Sequence, residues 1–164
     1  KVPVLIDGDS LPMFEAGAIL RYLATQYASE PFWPEAPAAR AAVDKWAEWA
    51  KINFANRFIS DVFWPVVRPP PSQRNYPAIN LALSSIEKEL AIADKVLATC
   101  AYLAGDDFSL ADIQLGHCLY RYYDIDGVRA SLPHLHSYYK RLQTRPGFSR
   151  HVMASYDELR VTVG

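Results

Sequence analysis

The chain has 164 residues, of which 51% are hydrophobic and 21% charged, and its formal net charge is −1. This composition is typical of a soluble globular protein, and the balanced charge argues against a nucleic-acid-binding surface. No apolar run reaches the ~20 residues that a membrane span needs, so we predict neither nucleic-acid nor membrane partners. The two cysteines, Cys100 and Cys118, form no disulfide or CxxC pattern, which indicates a reducing cytoplasm.

The first predicted elements are two short strands and a helix. Residues 2–6 are apolar and precede an Asp-Gly turn, and residues 11–14 would return as the second strand. From Glu15 the apolar period changes to that of a helix, which continues to Tyr27. The first amides of a helix have no internal partner and attract anions, so this junction predicts a small-ligand site.

The later part of the chain is predicted to be entirely helical. Residues 28–37 hold three prolines, which block helix continuation, and form a predicted linker. Ser109 and Asp112 match a capping box at the start of one helix. The clearest apolar stripe repeats every three or four positions and consists of Ile79, Leu83, Ile86, Leu90, Ala93 and Leu97.

We therefore divide the chain into residues 1–27, the linker 28–37 and an all-α domain 38–164. Two strands and one helix cannot bury their own faces, so either neighbouring helices cover them or the first of these units begins upstream of Lys1; we expect the second. The pair His134 and His136 has no third ligand at a metal-binding spacing, and we predict no metal site.

Two separate stretches resemble the cytosolic glutathione transferases, in a form similar to bacterial members. The first runs from Lys1 to Asp9, with Val-Pro opening a strand before an Asp-Gly turn, and continues at Glu15. The second is the sequence from Phe108 to Ile113, within an all-helical context. The resemblance implies an α+β, mostly α fold: the C-terminal part of a thioredoxin-like domain, followed by the family's all-α bundle. It also implies that the catalytic Ser, Tyr or Cys lies upstream of Lys1, and that residues 1–164 alone are inactive.

The resemblance implies a role for each position at the strand–helix junction. Pro3 would be a cis-proline, and the Val2 backbone would pair with the cysteinyl part of glutathione. Glu15 would accept from the γ-glutamyl ammonium, the Ala16 amide would donate to the γ-glutamyl carboxylate, and Lys1 would reach the glycyl carboxylate. Ala16 stands where the family usually has serine. A lost hydrogen bond to a carboxylate is worth roughly 1.5–3 kcal/mol, which predicts an affinity about tenfold to a hundredfold lower.

We therefore predict a cytoplasmic, homodimeric detoxification enzyme that conjugates glutathione, its co-substrate, to a hydrophobic electrophile. Trp49, Asn53, Arg57 and Tyr120 are the predicted wall for that electrophile. The alternative, which Ala16 supports, is a non-catalytic transferase-like binding or dimerisation module with weakened glutathione affinity. Apolar pockets discriminate weakly, so dehalogenation, peroxide reduction and conjugation all remain open as reactions.

Overall fold

The computed structural model describes residues 2–160. This part is mostly α-helical and contains one small sheet, which confirms the α+β, mostly α fold class. Strands β1 (Val4–Leu5) and β2 (Met13–Phe14) pair antiparallel, with Val4 opposite Phe14. Both strands are shorter than predicted, because only these residues pair across the turn. Helix α1 (Ala16–Tyr27) follows β2 after a single residue.

The remaining described chain is helical. Its elements are α2 (Pro37–Trp49), a first π-helical segment (Ala50–Ala55), α3 (Asn56–Phe58), a second π-helical segment (Ile59–Phe63), α4 (Trp64–Val67), a 3-10 turn (Pro71–Gln73), α5 (Tyr76–Leu97), α6 (Leu110–Asp124), α7 (Pro133–Gln143), α8 (Pro146–His151) and a second 3-10 turn (Asp157–Leu159). From α2 to α4 these elements follow one another without a break, so residues 37–67 form one long helical rod with two π-helical segments. None of the described helices combines the length and the apolarity needed to cross a membrane.

The core lies between the long rod, α5, α6 and α7. The six residues of the predicted apolar stripe all lie in α5 and are buried, which confirms the helical spacing predicted from the sequence. From the rod, Phe54 and Phe58 stack with their ring centroids 5.6 Å apart. Tyr122 of α6 meets each of these two rings edge-on, at 6.1 Å. Aromatic packing therefore fixes α6 against the rod.

Residues 28–36 cross between α1 and α2 as turns, and α2 begins at Pro37, the last residue of the predicted linker. This crossing is anchored on both sides. The indole N–H of Trp33, which is buried, donates to the Thr25 hydroxyl at 3.0 Å. The backbone carbonyl of Phe32 accepts from the Leu110 amide at the start of α6, at 3.3 Å.

A second connection joins α1 directly to α2 through Arg21. Its guanidinium donates to Asp44 at 2.7 Å and also to Glu48. Because these two acids lie one helical turn apart on α2, the arginine fixes the position of α1 along that helix.

Candidate functional site

The turn between the two strands is held to α1 by the carboxylate of Asp7. The hydroxyl groups of Tyr22 and Tyr27 both donate to its Oδ2, at 2.9 and 2.7 Å. These two hydrogen bonds lower the pKa of Asp7. These hydrogen bonds therefore attach the Asp-Gly turn of the hairpin to α1.

At the junction between β2 and α1, Glu15 has a backbone φ of 70°. A non-glycine residue rarely adopts a positive φ, and the conformation carries roughly 1–3 kcal/mol of strain. Such strain is concentrated at ligand sites, where surrounding structure holds the residue in place. The conformation ends the strand and starts α1 within one residue.

The N-terminus of α1 has free backbone donors. Its first helical bond runs from the Ile19 amide to the Glu15 carbonyl, and no side chain within residues 2–160 caps the helix. The amides of Ala16, Gly17 and Ala18 therefore have no partner within the helix. Together with the helix dipole they favour an anion at this position.

These donors open into a cleft with a volume of about 300 Å³. The strand–helix junction, the long rod and α6 each contribute to its walls. The lining residues are Val2, Pro3, Glu15, Ala16, Gly17, Lys51, Ala55, Asn56, Ile59, Gln114 and His117.

The cleft has a charged part and an uncharged part. Lys51 lies beside Glu15, with its Nζ 3.7 Å from the carboxylate Oε2. Ala55 and Ile59 lie four and eight residues further along the rod, about one and two turns away. His117 likewise follows Gln114 by about one turn of α6. The arrangement can bind a small zwitterion at one end and an apolar group at the other.

His117 lies in the cleft as a neutral imidazole. Its Nδ1 is 3.2 Å from the carbonyl of Ile113, and because a carbonyl only accepts, Nδ1 carries the proton and Nε2 is an acceptor. Burial lowers the pKa of His117. The neighbouring Cys118 is turned into the core, where burial raises the pKa of its thiol to about 12 and leaves it unreactive.

Comparison with known proteins identifies the fold around this cleft. Residues 55–146 match the family model described as "Glutathione S-transferase, C-terminal domain". The chain is 33% identical over 153 residues to the glutathione S-transferase GstB of Escherichia coli strain K12, covering 93% of this chain and 73% of that relative. The chain belongs to the glutathione S-transferase family. Glutathione S-transferase 4 of Zea mays is 34% identical over 154 residues, covering 92% and 68%.

A solved structure of the same family supports a bacterial-type glutathione S-transferase. The theta-class glutathione S-transferase of Xanthomonas axonopodis pv. citri, with glutathione bound, superposes with a TM-score of 0.87. It is 44% identical, and the match covers 94% of this chain and 73% of that one. In the fold of this family, the two strands and α1 correspond to part of the thioredoxin-like domain, and the later helices correspond to the all-α domain.

The structure brings four of the five predicted glutathione contacts into the cleft. Val2, Pro3, Glu15 and Ala16 all line it, and the Val2–Pro3 peptide bond is cis. Lys1 lies outside the described residues.

The four residues of the predicted electrophile wall do not line this cleft. Arg57 points to α5, where its guanidinium donates to the Ser85 hydroxyl at 2.8 Å. Tyr120 packs edge-on against Tyr156, and Trp49 against Trp46. Asn53 is half-buried and also absent from the lining. Their role as a substrate wall stays a prediction.

The rod side of the cleft instead carries Lys51, Ala55, Asn56 and Ile59, which sequence reasoning missed. A regular α-helix repeats every 3.6 residues, whereas π-helical turns accommodate an additional residue. Lys51, Ala55 and Ile59 nevertheless recur at the same four-residue step as the predicted rod residues, two positions later in the chain. The structure therefore turns a different face of the rod toward the cleft. Gln114 and His117 were also missed, since no motif distinguishes them from other polar residues of a packed helix.

Ser109 and Asp112, predicted as a capping box, lie at the start of α6. The Ser109 amide and hydroxyl donate to Asp112 Oδ2 at 2.7 and 3.0 Å. Its Oδ1 accepts from the Leu103 amide at 3.0 Å and from the Tyr138 hydroxyl at 2.8 Å. The carboxylate is therefore buried with four partners, and it fixes the helix that carries Gln114. Within residues 2–160, no group of three His, Cys, Asp or Glu side chains is arranged to hold a metal ion.

Proposed function

We propose that the protein conjugates the thiolate of glutathione to a hydrophobic electrophile, with glutathione bound in the cleft described above. The observation that carries this proposal is that Val2, Pro3, Glu15 and Ala16 line one cleft at a strand–helix junction. The Xanthomonas relative, whose structure contains glutathione, supports the choice of ligand.

In the proposed complex each group of the tripeptide has a partner in the chain. The backbone of Val2 pairs with the cysteinyl group in the manner of an added strand. Glu15 accepts from the γ-glutamyl ammonium, and the Ala16 amide at the start of α1 donates to the γ-glutamyl carboxylate. Lys1 remains the proposed contact of the glycyl carboxylate.

The electrophile occupies the uncharged part of the cleft in this proposal, next to Ala55, Ile59 and His117. An apolar wall favours a hydrophobic substrate, and the neutral imidazole adds only a hydrogen-bond acceptor. We assign the activation of the thiol to none of the described residues. That its catalytic group lies upstream of Lys1 stays a prediction.

The test uses the full-length protein and two measurements. Glutathione binding is measured by isothermal titration calorimetry, and turnover is measured with 1-chloro-2,4-dinitrobenzene as a general electrophile. Binding together with turnover supports the enzyme. Binding without turnover supports the alternative, a transferase-like binding module, which the missing hydroxyl at Ala16 favours. Absence of both would exclude the proposed conjugation.

We also propose that the protein is a cytoplasmic homodimer that associates through α1 and α2. Both helices expose small side chains on their outer faces, at Ala18, Ala41 and Ala42, which permit close approach of a second copy. Sedimentation of the full-length protein at micromolar concentration tests this assembly, and a monomer at that concentration would contradict it.

A further inference from the structure

The anion-binding end of the cleft lacks the side-chain hydroxyl that the resemblance leads one to expect. Ala16 cannot donate or accept a hydrogen bond through its side chain, and α1 has no side-chain cap within residues 2–160. Backbone amides alone would then hold a carboxylate, so the neighbouring side chains decide how strongly this end binds an anion.

Gly17, the second residue of α1, is buried with its α-carbon facing three nitrogen donors. A Cβ at this position would lie 3.5 Å from Gln114 Nε2, 3.5 Å from Lys51 Nζ and 3.3 Å from Arg21 Nη1. Arg21 is already bound to Asp44 and Glu48. Lys51 Nζ and Gln114 Nε2 therefore both lie close to the first turn of α1.

The amide of Gln114 has no protein partner at this position. The residue is only 6% exposed, yet its side chain makes no hydrogen bond to any other described residue. No fully enclosed side-chain nitrogen or oxygen in the described chain lacks a partner, so this amide must face the cleft that it lines. A ligand carboxylate in the cleft can therefore accept a hydrogen bond from the Gln114 amide.

Lys51 places a positive charge beside the negative charge of Glu15. Its ammonium and the Glu15 carboxylate approach to 3.7 Å, which is too long for a charge-assisted hydrogen bond of 2.7–2.9 Å. An α-amino acid group carries an ammonium and a carboxylate on one carbon atom. The Glu15–Lys51 pair presents the opposite charges side by side and therefore matches such a group.

We propose that Lys51 and Gln114 hold the γ-glutamyl carboxylate of glutathione and so replace the missing hydroxyl at position 16. Both donors lie beside Gly17 in the first turn of α1. This inference rests on the proposed function, since it takes glutathione as the ligand of the cleft. No sequence motif indicates a binding role for Lys51 or Gln114, and the inference assigns one to each.

The experiment compares two ligands on the full-length protein by calorimetry. The first ligand is glutathione, and the second is 4-aminobutyryl-cysteinyl-glycine, the same tripeptide without the γ-glutamyl carboxylate. The variants are Lys51→Met and Gln114→Leu. Lys45→Met serves as the control, because Lys45 is an exposed lysine on the same rod, away from the cleft. Thermal unfolding verifies that each variant folds.

We expect each cleft variant to bind glutathione roughly tenfold more weakly, which corresponds to one lost hydrogen bond to a charged group. The analogue should bind these variants no more weakly than the wild type, because it lacks the carboxylate. In Lys45→Met neither affinity should change. Adding Ala16→Ser to Lys51→Met should restore glutathione binding by about tenfold, a larger gain than Ala16→Ser gives alone.

Two results would overturn the inference, and they differ from each other. If both ligands lose affinity equally, or neither does, the two side chains do not bind the carboxylate, although the cleft still binds glutathione. If the wild type binds neither ligand, the proposed function fails, and this assignment fails with it.

Discussion

Replacing Asp112 by alanine should destabilise the protein more than almost any other polar substitution in α6. The carboxylate is 1% exposed and accepts four hydrogen bonds, two of them from the backbone amides of Leu103 and Ser109. A third comes from Tyr138, whose side chain is fully buried. Asp112→Ala removes the acceptor that these buried donors share.

The magnitude follows from the donors that are left behind. Each buried donor without a partner lowers the free energy of unfolding by about 1–3 kcal/mol. Burial raises the pKa of Asp112 despite its hydrogen bonds, so removing the buried charge compensates part of this loss. We therefore expect a loss of about 3–4 kcal/mol, or a decrease of roughly 6–16 °C in Tm for a chain of this size.

Urea and thermal unfolding measure this loss, with two further variants for comparison. Asp112→Asn preserves the volume, but either orientation of its amide turns an NH2 group toward the amide of Leu103 or Ser109, so we expect a loss of about 2 kcal/mol. Asp107→Ala, at an exposed position of the preceding turn, should change the stability by less than about 0.5 kcal/mol. If Asp112→Ala unfolds within about 1 kcal/mol of the wild type, the carboxylate does not hold these elements together.

Two further predictions concern the packing and protonation of α6. In Gly116→Ala the new Cβ would lie 2.9 Å from Leu142 Cδ1 and 3.2 Å from Phe148, so we expect a net loss of about 0–2 kcal/mol after the gain in helix propensity. Gly147→Ala is its control in urea unfolding, since its Cβ would meet nothing within 4 Å. Because burial lowers the pKa of His117, the unfolded state binds its proton first, and stability should fall as the pH decreases below about 6.5. His117→Asn should reduce this pH dependence in urea unfolding between pH 5 and 7, and an unchanged slope would contradict the assignment.

The regular parts of the fold could be predicted because local sequence determines them. In α5 the six residues of the predicted apolar stripe are buried, and in α6 the spacing of Ser109 and Asp112 predicted the start of the helix. The proposed glutathione contacts Val2, Pro3, Glu15 and Ala16 came from the resemblance to the glutathione transferases, which rests on residues close together in the sequence.

The rest of the cleft depends on contacts between residues far apart in the chain. Lys51 of the long rod approaches Glu15 because the folded chain brings the rod next to the start of α1. Gln114 of α6 approaches Gly17 of α1 in the same way. No pattern within one helix determines these approaches. The predicted wall residues of the rod lie on another face, because local sequence does not determine which face of the rod meets the cleft.

The two π-helical segments determine where the long rod can tolerate a change in its length. Phe54 and Phe58 face the core, whereas Lys51, Ala55 and Ile59 face the cleft. Because a π-helical turn accommodates one additional residue, deleting one residue from the first segment should convert it to a regular α-helical turn and leave later residues in place. Deleting one residue from the regular helix α2 would instead rotate the two sides of the rod by ~100° relative to each other about the helix axis. Single-residue deletions should therefore be tolerated in the π-helical segments and eliminated in α2.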